Sequence, residues 1–128
     1  GRFLEWLNAP RKVDWVDIGC GTGALSQTIL ASAEPNKVIG IDLSDGFVEH
    51  ARQTTKDERA RFEVGDAVAL PIAENSIDIA TSAPALNFIP DKIKALNEMQ
   101  RVVRSGWLIS FYVWDYAGGG TGKPCRRT

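Results

Sequence analysis

The sequence has few of the residues that build metal sites or disulfide frameworks: one histidine and two cysteines in 128 residues. Cys20 and Cys125 lie in different surroundings, which argues against a paired disulfide framework and against a structural zinc site. No apolar run is long enough to span a membrane, and no signal-like segment stands at the start. Fifteen basic against sixteen acidic residues give no positive excess for a polyanion. We therefore expect a soluble, cytoplasmic protein with no metal, no nucleic-acid partner and no membrane contact.

The apolar residues, 44% of the chain, are arranged in short runs that predict alternating strands and helices. The predicted strands cover residues 13–18, 37–41, 61–64, 77–82 and 108–113. The predicted helices cover residues 22–33, a segment after the N-cap residue Ser44, and 91–103. Such alternation requires a mostly parallel sheet with helices on both faces. The prediction is a three-layer, doubly wound, Rossmann-like α/β fold with five strands.

The sequence divides into a core and a tail. Residues 1–116 are predicted to form one domain that begins with a short helix over residues 2–8. Residues 117–128 are rich in glycine, carry three cations and have no periodicity. We expect this segment to be a flexible tail.

A glycine cluster at residues 19–23 follows the first predicted strand and opens the first helix. Glycine lets the backbone approach a ligand closely, and the following helix presents unpaired N–H groups. The same residues also satisfy the looser dinucleotide pattern G-x-G-x-x-G/A. The cluster therefore predicts a nucleotide-like ligand without identifying it.

Three acidic residues lie at the ends of three successive predicted strands: Asp17, Asp42 and Asp66. A carboxylate at Asp42 can accept the hydroxyls of an adenosine ribose, either in a nicotinamide dinucleotide or in S-adenosylmethionine. A carboxylate at Asp17 would repel a pyrophosphate and attract an ammonium group. Asp66 could accept a hydrogen bond from an adenine amino group. Helix capping and turn formation are the simpler alternatives for each residue, but the three together favour a cationic, phosphate-free nucleoside.

Five segments in this order resemble class I S-adenosylmethionine-dependent methyltransferases. Residues 16–23 resemble the first motif of that family, and Asp42 and residues 65–67 resemble the next two. Residues 70–78 resemble the stretch before its fourth strand, and residues 95–103 the helix before its fifth. The resemblance implies S-adenosylmethionine as cofactor, S-adenosylhomocysteine as product and a small molecule as acceptor. It also implies in-line methyl transfer, which depends mainly on positioning and desolvation of the reactants.

The resemblance also assigns cofactor contacts to individual residues. The methionine part would lie on the glycine cluster with Asp17 near its amino group, the ribose on Asp42, the adenine against Leu43 and the third motif, and the sulfonium and acceptor near the end of strand four. The residues implied are Asp17, Gly19, Cys20, Gly21, Thr22, Gly23, Asp42, Leu43, Gly65, Asp66, Ala67, Ser82 and Ala83. No catalytic residue is assigned; Asn87, Tyr112 and Asp115 are candidates by position alone.

The chain departs from the family pattern in two ways. Ser105 and Trp107 replace a proline and a glycine in the turn before strand five, so we expect a rearranged entry to that strand. Five strands instead of seven suggest a piece of a longer enzyme, with strand five as an exposed edge and a possible homodimer through it. Two alternatives stay open: an NAD-type dinucleotide-binding domain of an oxidoreductase, and a cofactor-binding fragment without catalytic activity.

Overall fold

The computed structural model describes residues 11–82, 91–115 and 119–126. Three helices and six strands alternate along this part of the chain. The helices are α1 (Ala24–Ser32), α2 (Asp45–Thr54) and α3 (Lys92–Val102). The strands are β1 (Asp14–Ile18), β2 (Lys37–Asp42), β3 (Ala60–Val64), β4 (Ile77–Ser82), β5 (Val103–Asp115) and β6 (Gly119–Arg126).

The strands form one sheet in the order β3-β2-β1-β4-β5-β6. The first five strands are parallel, and β6 runs antiparallel to β5. β1 therefore lies between β2 and β4, and the chain reverses its direction of winding there. In doubly wound sheets, ligands bind beyond the carboxyl ends of the strands at this point. The predicted mostly parallel, doubly wound fold is confirmed.

Apolar clusters cover both faces of the sheet at its central strands. Val16 and Ile18 of β1 pack with Met99 and Val102 of α3 on one face. Trp15, the neighbour of Val16, packs with Ile29 of α1 on the other face, as the alternation of side chains along a strand requires. α2 covers Phe62 of β3 through Val48 and Ala51. The helices thus supply the two outer layers of the predicted three.

The buried stripe of α3 differs from the predicted one. The sequence predicted Ile93, Leu96, Met99 and Val103 along one face. The buried residues of the helix are Ala95, Met99 and Val102, while Ile93 is 73% exposed. Met99 is common to both sets, and Leu96 is half-buried against the same core cluster. Val103 is buried but belongs to β5, because the helix ends at Val102.

The entry to β5 is rearranged, as the sequence predicted. β5 begins at Val103, directly after α3, without an intervening turn. Val103 pairs with Ile77, yet the next paired residue of β5 is Leu108, opposite Ile79. The extra β5 residues at this point form an irregularity in the ladder. A serine at position 105 does not impose the stop that a proline would.

The C-terminal segment differs from the prediction of a flexible tail and an exposed fifth strand. Gly119–Arg126 forms β6 and pairs with β5 from Leu108↔Arg126 to Asp115↔Gly119. The unpaired backbone groups of an edge strand are a template for such pairing, and glycine accepts an extended backbone without steric conflict. β6 occupies the edge of β5 through which a homodimer was predicted, so that edge no longer supports the dimer.

Gly40 in β2 is required by close packing between three strands. A Cβ at this position would lie 2.6 Å from Phe62 Cδ1 and 3.1 Å from Cys20 Cβ. The Phe62 ring is buried under α2, against Val48 and Ala51. We expect Gly40→Ala to lower the free energy of unfolding by roughly 1–3 kcal/mol, the usual cost of overpacking a core.

Urea denaturation measures this change. Gly46→Ala is the matched control, because a Cβ at exposed Gly46 in α2 would meet only Ser44 Oγ, at 3.9 Å, and alanine is the better helix former. A Gly40→Ala protein as stable as the Gly46→Ala protein would contradict the packing described.

Candidate functional site

The loop between β1 and α1, called here the glycine loop (residues 19–23), has a backbone that only glycine adopts without strain. Gly19, Gly21 and Gly23 have φ values of 70°, 56° and 96°. The N–H groups of Gly19 and Cys20 both donate to the carbonyl oxygen of Ile41 in β2, at 2.7 and 3.0 Å. A Cβ on Gly21 would meet nothing within 4 Å. The loop is thus fixed against β2, with open space next to Gly21.

Asp42 at the end of β2 is held by two backbone donors. Its Oδ2 accepts from Gly21 N at 2.9 Å, and its Oδ1 accepts from Ser44 N at 2.9 Å. The first hydrogen bond joins the carboxylate to the glycine loop, and the second joins it to the residue that caps α2 through Phe47 N. Both oxygens are fixed in orientation, and each has a further lone pair for a ligand hydroxyl. The structure thus brings Asp42 and the glycine loop, both predicted from the sequence, into direct contact.

Asp17 lies beneath the glycine loop with no exposed surface. Its Oδ2 accepts a hydrogen bond of 2.7 Å from Ser26 Oγ in α1. Its Oδ1 is buried and has no hydrogen-bond partner in the described part of the chain. Burial raises the pKa of Asp17 to about 7, and the charge of Asp42 adds a smaller effect in the same direction. Ser26 was not among the predicted site residues, and its place beside Gln27 and Thr28 gave no signal in the sequence.

The third motif forms a tight turn, called here the Asp66 turn (residues 66–69). Asp66 Oδ1 accepts from Val68 N at 3.1 Å, and Ala69 N donates to the Asp66 carbonyl at 3.0 Å. Gly65 N donates to the Asp42 carbonyl at 3.0 Å, which brings this turn beside the end of β2. Asp66 is exposed and Ala67 half-buried, so the carboxylate can reach a ligand at this edge of the sheet.

The remaining predicted residues differ in how accessible they are. Leu43 is 69% exposed beside Asp42, as expected of a residue that would contact a ring. Thr22 is also exposed. Ser82 is fully buried, and its Oγ donates to the Ile18 carbonyl at 3.0 Å, so this hydroxyl joins β4 to β1. Ala83 and Asn87 lie outside the described residues.

Cys20 is packed into the core beneath the glycine loop with Val48, Ala51 and Phe62. Burial, with smaller contributions from Asp17 and Asp42, raises the pKa of its thiol to about 12. A thiol with this pKa is not a nucleophile near neutral pH. Cys20 therefore contributes packing to the loop.

The described residues leave open space beside the glycine loop that a ligand could occupy. They include no group of three or more histidine, cysteine, aspartate or glutamate side chains that could hold a metal. They do combine the buried, unpartnered oxygen of Asp17, the open space at Gly21 and the fixed carboxylate of Asp42. None of the three described helices has the length and apolar character of a membrane span.

Comparison with known proteins identifies the family. Residues 16–111, most of the chain, match a family described as a methyltransferase domain. The chain belongs to this methyltransferase family. It is 36% identical over 113 residues to a demethylmenaquinone methyltransferase of Staphylococcus aureus, covering 84% of the chain and 46% of that enzyme.

Solved structures of the same fold agree with the family. The chain is similar to the YcgJ protein of Bacillus subtilis, with a TM-score of 0.81 and 27% identity over 89% of the chain and 49% of that protein. It is also similar to an S-adenosylmethionine-dependent methyltransferase of Mesorhizobium loti, with a TM-score of 0.75 and 25% identity over 81% of the chain and 48% of that protein. The methyltransferase domain described here spans about half the length, or less, of these proteins.

The raised pKa of Asp17 has a consequence for stability. The folded state holds the Asp17 proton more tightly than the unfolded state, whose pKa is near 3.8. Stability should therefore fall as the pH rises from that value to about 7. Between pH 5 and pH 8, we expect the free energy of unfolding of the wild type to fall by roughly 2 kcal/mol more than that of an Asp17→Asn variant. The variant has no ionisable group at this position.

Urea denaturation at several pH values measures this difference. Asp45→Asn is the control, because Asp45 is an exposed carboxylate in the first turn of α2. Its pH profile should follow the wild type. If Asp17→Asn also followed the wild type, the buried carboxyl would not be the source of the pH dependence.

Proposed function

We propose that this methyltransferase domain binds S-adenosylmethionine beyond the carboxyl ends of β1, β2 and β3, and that it forms the cofactor-binding part of an enzyme that methylates a small molecule. The observation that carries the proposal is the Asp42 carboxylate fixed on Gly21 N, next to open space and beside the Asp66 turn. Family membership supports the same conclusion.

Each part of the cofactor has residues suited to it in this proposal. The glycine loop lies next to the methionine part, and the buried Asp17 carboxyl favours its ammonium group. Asp42 accepts hydrogen bonds from the ribose hydroxyls. Leu43 contacts the adenine ring, and Asp66 accepts from its amino group. When bound, S-adenosylmethionine supplies a methyl group already activated on a sulfonium.

The charges around the glycine loop argue against the alternative of an NAD-type domain. A dinucleotide would place its pyrophosphate over this loop, where Asp42 is bonded to Gly21 and Asp17 lies directly beneath. Asp42 suits the ribose of either ligand, but an ionised Asp17 near a pyrophosphate raises the free energy of that complex. The same carboxylate stabilises a ligand that carries an ammonium group.

A small molecule is the acceptor class we propose. It is supported by the relative from Staphylococcus aureus, which is a demethylmenaquinone methyltransferase. In-line transfer from an activated sulfonium needs a positioned acceptor and exclusion of water more than an acid or a base. No residue of this chain is assigned to proton transfer.

A transfer assay with methyl-labelled S-adenosylmethionine tests the function. The purified chain is incubated with a panel of acceptors that includes a naphthoquinol, a phenol, an amine and a thiol, with Asp42→Ala as the control. Label on one of these small molecules, absent with the variant, is the expected result. Binding of S-adenosylmethionine without transfer to any member would favour the alternative of a cofactor-binding fragment. Transfer only to added protein or RNA would contradict the proposed acceptor class.

A further inference from the structure

Two side chains of α3 form hydrogen bonds with the backbone of Leu70, directly after the Asp66 turn. Glu98 Oε1 accepts from Leu70 N at 2.7 Å, and Arg101 Nη2 donates to the Leu70 carbonyl at 3.1 Å. The two side chains also bind each other, with Arg101 Nε 2.6 Å from Glu98 Oε2 and Arg101 Nη2 3.0 Å from Glu98 Oε1. Both polar backbone groups of Leu70 are therefore satisfied by one ion pair, called here the Leu70 clamp (Glu98 and Arg101).

The clamp is less exposed than an ordinary surface ion pair. The Glu98 side chain is only 17% exposed and the Arg101 side chain 35%. Arg101, together with the Leu70 N–H, lowers the pKa of Glu98 despite the partial burial of that carboxyl. Two parallel N–H···O bonds between a guanidinium and a carboxylate fix both groups in one plane. The pair is thus a rigid attachment point on α3.

The segment between β3 and β4 is also attached to α3 at its far end. Asn75 N donates to the Arg101 carbonyl, and Ser76 N donates to the Val102 carbonyl, both at 2.9 Å. The Leu70 side chain is buried in the cluster of Val16 and Met99. These contacts leave the Asp66 turn as the part of the segment that faces the proposed ligand.

The position of the Asp66 turn therefore depends on the clamp. Leu70 follows Ala69, whose N–H closes the turn on the Asp66 carbonyl. Pro71, the residue after Leu70, packs against Gly65, where a Cβ would lie 3.0 Å from Pro71 Cδ. The turn is thus held on both sides of Asp66. Gly65 contacts Pro71, and Ala69 directly precedes Leu70. A change at Leu70 would shift the Asp66 carboxylate relative to Asp42.

We propose that Glu98 and Arg101 are positioning residues that set the place of the Asp66 carboxylate and so determine how strongly the site selects adenine over other bases. This inference rests on the proposed function, because it concerns the adenine end of the same site. Glu98 and Arg101 act through the Leu70 backbone and the Asp66 turn.

Calorimetric titrations with three ligands test the proposal on the full chain. The ligands are S-adenosylhomocysteine, S-inosylhomocysteine, in which an oxo group replaces the adenine amino group, and 5′-methylthioadenosine, which lacks the amino-acid part. The wild type should bind S-adenosylhomocysteine about tenfold more tightly than S-inosylhomocysteine, the factor that one hydrogen bond provides. In Glu98→Ala this ratio should fall to about 1–2, while preference over 5′-methylthioadenosine is retained.

The control variant is Glu49→Gln. A second variant, Glu98→Gln, is the conservative change at the Leu70 clamp. Glu49 and Arg52 form the corresponding pair on α2, 3.6 Å apart and exposed. Glu49→Gln should keep the wild-type ratio, and Glu98→Gln should fall between the wild type and Glu98→Ala. An equal loss of affinity for all three ligands, or an unchanged ratio, would overturn the proposal, because a merely structural role predicts no selective effect.

Hydrogen exchange without ligand separates this proposal from the proposed function. The amides of Val68 and Ala69 are bonded within the Asp66 turn and not to the clamp. In Glu98→Ala they should exchange about tenfold faster than in the wild type, while amides of β1 keep their rates. Unchanged exchange at both amides would overturn the clamp mechanism, whether or not the chain binds S-adenosylhomocysteine. A wild type that binds no S-adenosylhomocysteine would overturn the proposed function instead.

Discussion

Replacing Asp42 with alanine is expected to weaken the binding of S-adenosylhomocysteine at least about 100-fold, because two hydrogen bonds from ribose hydroxyls to a charged acceptor are lost. The variant also removes the acceptor for Gly21 N and Ser44 N. The glycine loop then loses one of the bonds that hold it against β2. Calorimetric titration measures the change in affinity.

Asp45→Ala provides the matched control for this variant. Asp45 is an exposed carboxylate three residues further along, in the first turn of α2. Its removal leaves the hydrogen bonds of Asp42 intact and should leave the affinity unchanged. A cooperative urea transition of Asp42→Ala verifies that the domain still folds. An Asp42→Ala protein with wild-type affinity would mean that the ribose does not lie at this carboxylate.

Gly21→Val is expected to reduce the affinity for S-adenosylhomocysteine by about 100-fold, and Gly21→Ala by about tenfold. A side chain on Gly21 would enter the open space beside the loop, where the ligand backbone must approach. The φ of 56° adds strain for any residue with a Cβ, roughly 1–2 kcal/mol. For Gly21→Val, the loss of binding free energy, about 2.7 kcal/mol, should therefore exceed the loss of stability.

Calorimetry and urea denaturation on the same samples separate these two effects. Gly46→Ala is the control, because it makes the same chemical change in exposed space outside the loop. It should bind like the wild type. If Gly21→Val bound S-adenosylhomocysteine as tightly as Gly46→Ala does, the space beside Gly21 would not be part of the ligand site.

The five parallel strands were predictable because they carry their own signal. β1 and β4 are buried almost throughout, so apolar residues stand at successive positions, Trp15 and Val16 in β1 and Ile79 and Ala80 in β4. β6 carries no such signal, since Gly119–Arg126 consists largely of glycine and polar residues. Its strand conformation depends on the backbone edge of β5, which becomes available only once the sheet has formed.

The candidate site was predictable where a residue lies at or just after the end of a strand. Asp42 is the last residue of β2 and Asp66 comes shortly after the end of β3, and the geometry of a parallel sheet brings such residues to one edge. The hydrogen bond from Ser26 to Asp17 and the clamp on Leu70 were not predicted. Glu98 meets Leu70 across 28 residues of sequence because α3 packs on the sheet at that place. Contacts of this kind depend on helix packing, for which the sequence has no local pattern.

The central claim is that this domain of the methyltransferase family binds an adenosine ligand with a charged amino-acid part and not a dinucleotide. Calorimetric titration of the chain with S-adenosylhomocysteine, beside a titration with NAD under the same conditions, tests it most directly. Micromolar binding of S-adenosylhomocysteine with no heat of binding for NAD is the expected result. Binding of NAD, or no binding of either ligand by a folded sample, would contradict the account.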